Sequence, residues 1–391
     1  MTILAGCILV SLAVAGGIAS ADEAPKLAPT LQPAIDNHLI AGAVILVADR
    51  DKVLDLEATG LMDVASGKPM RTDCTFWIAS MTKPITCAAL MMLVDEGKVD
   101  VEAPVSTYLP EFKDQMLLAE RDDDHVLLKK PARPMRVRDL MSHTSGITTK
   151  GSLNGISNAE DMPLATRVAG YATYPLESEP GTKFRYNNVG INTVGRIIER
   201  VSGMSYADYL QQRIFDPLGM TDTTFWPSDE QVSRLATGYG STPDHSGLEP
   251  ALLSPFRKPM SDRTRVPMPA GGLFSTAIDL AKFCQMILNQ GTLGGRKYLS
   301  AESVKQMSSR QTAEGIVEGY GFGWTVGGGK FSHAGAWKTN MAIHPKEGLI
   351  TIFLIQCANW RDDQTGRKIE PAFQETAIKA FHPTPEPTSG Q

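Results

Sequence analysis

Three short clusters in this chain carry residue types that can make and break an acyl bond. The first is Ser80-Met81-Thr82-Lys83. Residues three apart on a helix share a face, so an alcohol and an amine at this spacing can touch. A lysine amine withdrawn from water loses its proton more easily and can then accept the serine proton. Ser80 near a helix start also gains the positive end of the helix dipole. Pro84 is tolerated only in the first turn of a helix, which independently sets the start beside Ser80. Alone, an S-x-x-K is a weak signal, equally at home on a solvated surface helix.

The second cluster is Tyr186-Asn187-Asn188, the only Y-x-N in the chain. Tyr186 can relay a proton to a leaving group if Lys83 lowers its pKa; the bland reading is a half-buried loop aromatic. Asn188 can donate a hydrogen bond to a substrate carbonyl. The third cluster is His333-Ala334-Gly335, expected on an edge strand, where Gly335 admits close approach of a substrate to the backbone. The N–H of Ala336, together with that of Ser80, would form a two-donor oxyanion hole. His245-Ser246-Gly247 repeats the H-x-G pattern inside a polar Pro/Asp loop and is discarded.

The elements that must bring these clusters together are legible in outline. Two strand-like runs within 42–63 flank Asp49-Arg50-Asp51-Lys52, a hairpin turn. From Ser80 to Glu96 the pattern is helical, with Ile85, Ala88, Ala89, Met92 and Leu93 on one face and Gly97 as the stop. Residues 104–268 are loop-rich, with clear helices around 192–203 and 205–220. The acidic-then-basic run 119–130 reads as a solvated loop and not a ligand site. Thr276 and Asp279 fit a capping box opening another helix. Residues 320–357 alternate glycine with apolar runs, as antiparallel strands do. A helix near 370–381 precedes a Pro-rich tail. The layout implies an α+β fold. Residues 37–103 and 269–381 build an antiparallel sheet flanked by helices, and 104–268 form a mainly helical second lobe beside it. A cleft between them is the natural substrate site.

Composition narrows the partners. Of 391 residues 42% are hydrophobic and 21% charged, with net charge −5, and no basic stripe points to nucleic acid. The first 21 residues carry no charged side chain and end in Ala19-Ser20-Ala21. They read as a signal peptide cleaved after Ala21, with an uncleaved anchor as the alternative. Residues 22–36 then form a tether and 382–391 a disordered tail. Export, periplasmic or secreted, follows, with no stable membrane insertion after cleavage. Cys74, Cys87, Cys284 and Cys357 lack metal-ligand spacing and are expected to be buried free thiols. No metal or cofactor is expected: there is no H-E-x-x-H. There is also no G-x-S-x-G elbow of an α/β-hydrolase.

The order S-x-x-K, Y-x-N, H-x-G resembles the serine beta-lactamase and penicillin-binding-protein superfamily. Within it the chain is similar to class C beta-lactamase-related hydrolases, including family VIII esterases and D-alanyl-D-alanine peptidases. The stretches 137–147, 179–203 and 269–283 extend the resemblance, which spans roughly residues 30–380. It implies a beta-lactamase-like fold and a set of roles. Ser80 would be the acylated nucleophile, Lys83 its base and Tyr186 the proton relay. Asn188 would orient Lys83 and substrate, and His333 would occupy the third-motif position. His143 matches a family motif and is read as structural. Class C beta-lactamases usually carry Lys-Thr-Gly where this chain has His333-Ala334-Gly335. The loss of that hydroxyl and of a permanent cation weakens a pocket for anionic substrates. Lys338-Thr339-Asn340 lies just beyond and is not the aligned motif. Carboxylic esters are therefore the expected small-molecule substrates. A beta-lactam, a D-alanyl peptide or another amide is the alternative, and a non-catalytic sensor is the reading from another class.

Overall fold

The computed structural model describes residues 26–149, 161–244, 246–253, 258–360 and 363–381. The expected signal peptide and C-terminal tail lie outside the described residues, as does His245.

Seven strands make one antiparallel sheet. β1 (Gly42–Ala48), β2 (Val53–Asp63) and β3 (Lys68–Pro69) come from the start of the chain. β4 (Thr325–Gly327), β5 (Lys330–Ala334), β6 (Asn340–His344) and β7 (Leu349–Leu354) come from the end. Their spatial order is β4-β5-β6-β7-β1-β2-β3. The two ends of the chain meet where Val44 lies opposite Leu354. The hairpin turn forms as expected: the Asp49 carboxylate accepts the N–H groups of Asp51 and Lys52 at 2.8 and 2.7 Å.

Side chains alternate across a strand, so each face of β1 faces a different core. Val44, Leu46 and Ala48 join the main core, whereas Ala43, Ile45 and Val47 join a smaller one. The helices that cover these faces are α1 (Gln32–Asp36), α2 (Thr82–Asp95), α3 (Asn188–Ser202), α4 (Ala277–Leu288) and α5 (Asp363–Phe381). α4 lies across β6, β7 and β1, and α2 packs against α3 of the insertion. α5 and the segment around α1 cover the outer face.

Several expectations need correction. α2 has no solvated face: every residue from Thr82 to Leu93 is buried. Its pattern is apolar nearly all round, which is the signature of a helix enclosed on every side. It closes as expected at Gly97, whose φ of 69° suits the left-handed cap that glycine adopts freely. The tether is shorter than 22–36, because Leu27 and Leu31 are 1% and 2% exposed in the outer core. The Glu57 carboxylate fixes this segment by accepting the Leu27 and Ala28 N–H groups at 2.5 and 3.1 Å. Run 119–130 is not a loop but part of a hairpin, Leu117–Arg121 with Val126–Lys129. Its acidic stretch makes the turn, where Asp122 accepts the N–H groups of Asp124 and His125. The capping box at α4 is only half formed. Thr276 accepts the Asp279 N–H, but the Asp279 carboxylate turns to Asp222 N–H and the Thr223 hydroxyl. β5 is not the edge strand, since β4 flanks it. That pairing stops at Ser332, so the backbone from His333 onward is open on that side. The four thiols are free and buried, as expected.

Deleting most of a fully buried leucine side chain leaves a cavity. Leu31→Ala is therefore expected to cost about 2–4 kcal/mol, read as a lower urea midpoint; a change near zero would show that 27–36 is a passive tether after all.

Candidate active site

Ser80 sits in a 3-10 turn, Ala79–Met81, that runs directly into α2. The segment before it is strapped to residues 271–275. Phe76 and Trp77 pair with Ser275 and Phe274, and the Trp77 indole N–H donates to the Gly271 carbonyl at 2.8 Å. The Thr82 hydroxyl donates to the Ala79 carbonyl at 2.7 Å. Between these anchors Ala79 is held at φ 44°, a left-handed conformation costly for a residue with a Cβ. The strain is localised next to the serine, where surrounding contacts over-determine the backbone.

Lys83 is completely buried, and its amine touches three oxygens. They are Ser80 Oγ at 3.0 Å, Asn188 Oδ1 at 2.9 Å and the Ala270 carbonyl at 2.7 Å. Loss of hydration lowers its pKa from 10.5 to about 7. A neutral amine has two N–H donors and one lone pair. The Asn188 and Ala270 oxygens can only accept here, so they take both donors and leave the lone pair facing the Ser80 hydroxyl. Asn188 is the first residue of α3. The intervening Asn187 caps that helix, its side chain accepting the Gly190 N–H at 2.8 Å. The Y-x-N spacing thus works as an anchor between two functional side chains.

Tyr186 is 43% exposed and projects over the site. The Lys83 amine lies 4.7 Å from the centre of its ring. The condition set for the relay, a phenol pKa lowered by Lys83, is not met, since Lys83 is not among the groups acting on the phenol. Burial raises the phenol to about 12, with the Ser80 hydroxyl pulling the other way. The reason is geometric and electrostatic: the amine faces the ring and, when neutral, offers no charge to stabilise a phenolate. His143 supports Tyr186 from below, ring centres 4.5 Å apart. Its Nδ1 accepts the Asn187 N–H at 3.4 Å and its carbonyl accepts the Arg185 N–H at 2.8 Å. That is the structural part expected of it. Burial holds its pKa well below 6.5, so the ring is neutral.

The third motif is rearranged relative to expectation. His333 is 4% exposed and both its ring nitrogens are engaged within the protein, so it is not free to bind substrate as expected. Strand alternation turns His333 inward and Ala334 outward. Its Nε2 meets the Tyr320 hydroxyl at 3.0 Å and its Nδ1 the Ala334 carbonyl at 2.8 Å. Burial, reinforced by Lys83, lowers its pKa to about 3. Gly335 fits the expectation of close approach, although the neighbour is protein. A Cβ there would collide with the Thr339 hydroxyl and come within 2.6 Å of the Ile78 carbonyl. That contact brings the end of β5 against the strand that leads to Ser80. Ala336 is exposed. Among the described residues neither its N–H nor that of Ser80 has an acceptor. Thr339 and Asn340 are buried, and the Thr339 hydroxyl lies between Gly335 and the Ile78 carbonyl.

Ser80, Lys83, Tyr186 and Asn188 therefore converge, Gly335 lies against Ile78 just before them with Ala336 next in the chain, and the His333 ring faces that of Tyr186. The Ala270 carbonyl and Tyr320 were not anticipated. A backbone acceptor carries no side-chain signature, although the Gly271-Gly272 pair after it marks a close backbone approach. Nothing in the sequence around Tyr320 distinguishes it. Among the described residues no group of His, Cys, Asp and Glu could hold a metal ion.

Comparison with known proteins gives one family. The family model described as Beta-lactamase matches residues 27–372. A protein of Mycobacterium tuberculosis described as uncharacterized is 32% identical over 359 residues, 84% of this chain and 88% of its own. The lovastatin esterase of Penicillium rubens is 32% identical over 277 residues, 68% of each chain. Simvastatin synthase from Aspergillus terreus shares the fold, with a TM-score of 0.77 over 92% of this chain and 98% of its own, at 20% identity. The chain belongs to the beta-lactamase family, within a superfamily of serine hydrolases that includes esterases and penicillin-binding proteins.

Proposed function

We propose that this protein is an exported serine hydrolase that cleaves carboxylic esters through an acyl-enzyme on Ser80. The observation that carries the reading is the buried Lys83 amine, 3.0 Å from the Ser80 hydroxyl and held by the Asn188 and Ala270 oxygens. In the first step Ser80 Oγ bonds to the ester carbonyl carbon while its proton passes to Lys83. The oxygen that becomes negative is met by the N–H groups of Ser80 and Ala336. Collapse breaks the bond to the alcohol, which leaves with the proton returned from Lys83 by way of the Tyr186 hydroxyl. Tyr186 serves as a neutral phenol throughout, passing one proton on as it receives another. A water then attacks the acyl carbon, gives a proton to the same base, and releases the carboxylic acid with Ser80 restored. Asn188 holds Lys83 through its oxygen, leaving its amide N–H groups for the substrate carbonyl.

The ester preference rests on what the third motif lacks. Ala334 presents a methyl group, and His333 is buried and neutral, so neither offers an anion partner. The lovastatin esterase among the relatives supports the same substrate class. Export rests on the first 21 residues. Among the described residues no helix is long and apolar enough to cross a membrane.

Purified protein is expected to turn over p-nitrophenyl butyrate at least about a hundredfold faster than nitrocefin. Comparable rates would reverse the substrate assignment. Ser80→Ala is expected to abolish both ester turnover and covalent labelling by a phosphonate; labelling retained elsewhere would move the nucleophile. Only the neutral amine can take a proton, so the acylation rate is expected to rise as pH passes upward through about 7. Stop-flow kinetics showing a flat profile from pH 6 to 8 would exclude Lys83 as the base. The same shift has a stability consequence. Between about 7 and 10.5 the unfolded chain binds a proton at Lys83 that the folded chain does not. Stability contributed by this position therefore grows with pH across that window. The unfolding free energy of the wild type minus that of Lys83→Met, by urea titration, is expected to increase accordingly.

A further inference from the structure

We propose that His333 and Tyr320 are positioning residues that hold the backbone turn presenting the Ala336 N–H to the developing oxyanion. The inference rests on the acyl-transfer reading of Ser80. It gives the third motif a task different from binding substrate.

The argument follows the hydrogen bonds outward from the donor. His333 Nδ1 lies 2.8 Å from the Ala334 carbonyl, which can only accept, so the ring proton is on Nδ1. Nε2 is then the acceptor, and the Tyr320 hydroxyl donates to it at 3.0 Å. Tyr320 is 2% exposed, and burial keeps its phenol protonated. Its own ring is wedged against His143 and Phe184, with centres 4.8 and 5.5 Å away. The Ala334 carbonyl is thus tied to an immobile ring pair. The other end of the same peptide is tied as well, the Gly335 N–H donating to the Thr339 carbonyl at 2.7 Å. The next carbonyl, of Gly335, accepts the Lys338 N–H at 3.0 Å, closing a turn with Lys338 at φ 64°. In the middle of this turn is Ala336, whose N–H has no acceptor among the described residues.

A donor held in place before the reaction stabilises charge without reorganising when it develops. His333 contributes by geometry and not by charge. The ionisable groups around it are Tyr320, Tyr186, His143 and Lys83, and burial with Lys83 nearby keeps its imidazole neutral across the working pH range. The cluster also joins the two halves of the site. His143 touches Tyr320 on one side and Tyr186 on the other, so the proton relay and the oxyanion donor lean on one support.

The test uses Tyr320→Phe and His333→Asn in the full-length enzyme, with folding checked by thermal melting. Two quantities are read: the single-turnover acylation rate with p-nitrophenyl butyrate, and the inhibition constant of butylboronic acid, which forms a tetrahedral adduct on the serine. Tyr320→Phe is expected to slow acylation and weaken the boronate by about tenfold each, a fraction of the loss seen when an oxyanion donor is removed outright. Ground-state affinity for the ester should stay within about twofold. His333→Asn keeps an N–H where Nδ1 stands, so it should retain more activity than His333→Leu, with an unaltered pH profile between about pH 5 and 9. Unchanged acylation and boronate binding in both variants would overturn the proposal. So would the loss of an acid limb in His333→Asn, since that would make His333 a charged ligand. A wild-type enzyme that forms no adduct on Ser80 would instead defeat the hydrolase reading, which separates the two failures.

Discussion

The dehydration of one amine governs the rest of this molecule. In water the Lys83 side chain would hold its proton and could not serve as a base for Ser80. Enclosure lowers that affinity to about neutral pH, and the Ala270 and Asn188 oxygens fix which way the lone pair points. Enclosure in turn demands that α2 be covered on all sides. Residues 301–308 and 323 supply one side of that cover, and α3 with Tyr206–Leu210 of the insertion supplies the other. The insertion is thus part of the machinery that sets the basicity of Lys83, and it also brings Tyr186 and Asn188. Fold and reactivity impose one requirement here. A loosened interface between α2 and α3 would let water reach the amine and return its proton.

The surroundings of this amine are aromatic, polar and uncharged. His143, His333 and Tyr320 are all buried in neutral form. For the two histidines desolvation and the nearby Lys83 both disfavour a second cation, and for Tyr320 desolvation disfavours the phenolate. The consequence is a neutral wall around the Ser80 hydroxyl and the Lys83 amine. At the third motif His333 is tied within this wall, to the Tyr320 hydroxyl and the Ala334 carbonyl.

Much of this was legible in the sequence, for identifiable reasons. The S-x-x-K spacing, Pro84 and Gly97 constrain a local helix, and local constraints are written in nearby residues. The strands near the C-terminus follow from short apolar runs punctuated by glycine. What escaped depends on contacts distant along the chain. The inward orientation of His333 is a matter of strand register, and a single step would have turned it toward solvent. The Lys83 environment could not fix the Tyr186 pKa in advance, because the sign of the effect depends on whether the amine faces the hydroxyl or the ring. Leu27 and Leu31 were hidden in a Pro/Ala-rich stretch whose composition resembles a linker. The hairpin Leu117–Arg121 with Val126–Lys129 was masked by the acidic residues of its turn, which stand out more than the short strands beside it.

The pairing of β1 with β7 joins residue 44 to residue 354, so the central strand waits for almost the whole polypeptide before it gains its second neighbour. A ribosome or translocon that has released only the first three hundred residues holds a chain with β1 exposed along one margin and α2 lacking half its cover. Such a nascent chain has no finished catalytic centre and a sticky flank, and topology of this kind folds slowly. Late closure of this kind postpones assembly of the cluster around Ser80 until the final strand is delivered.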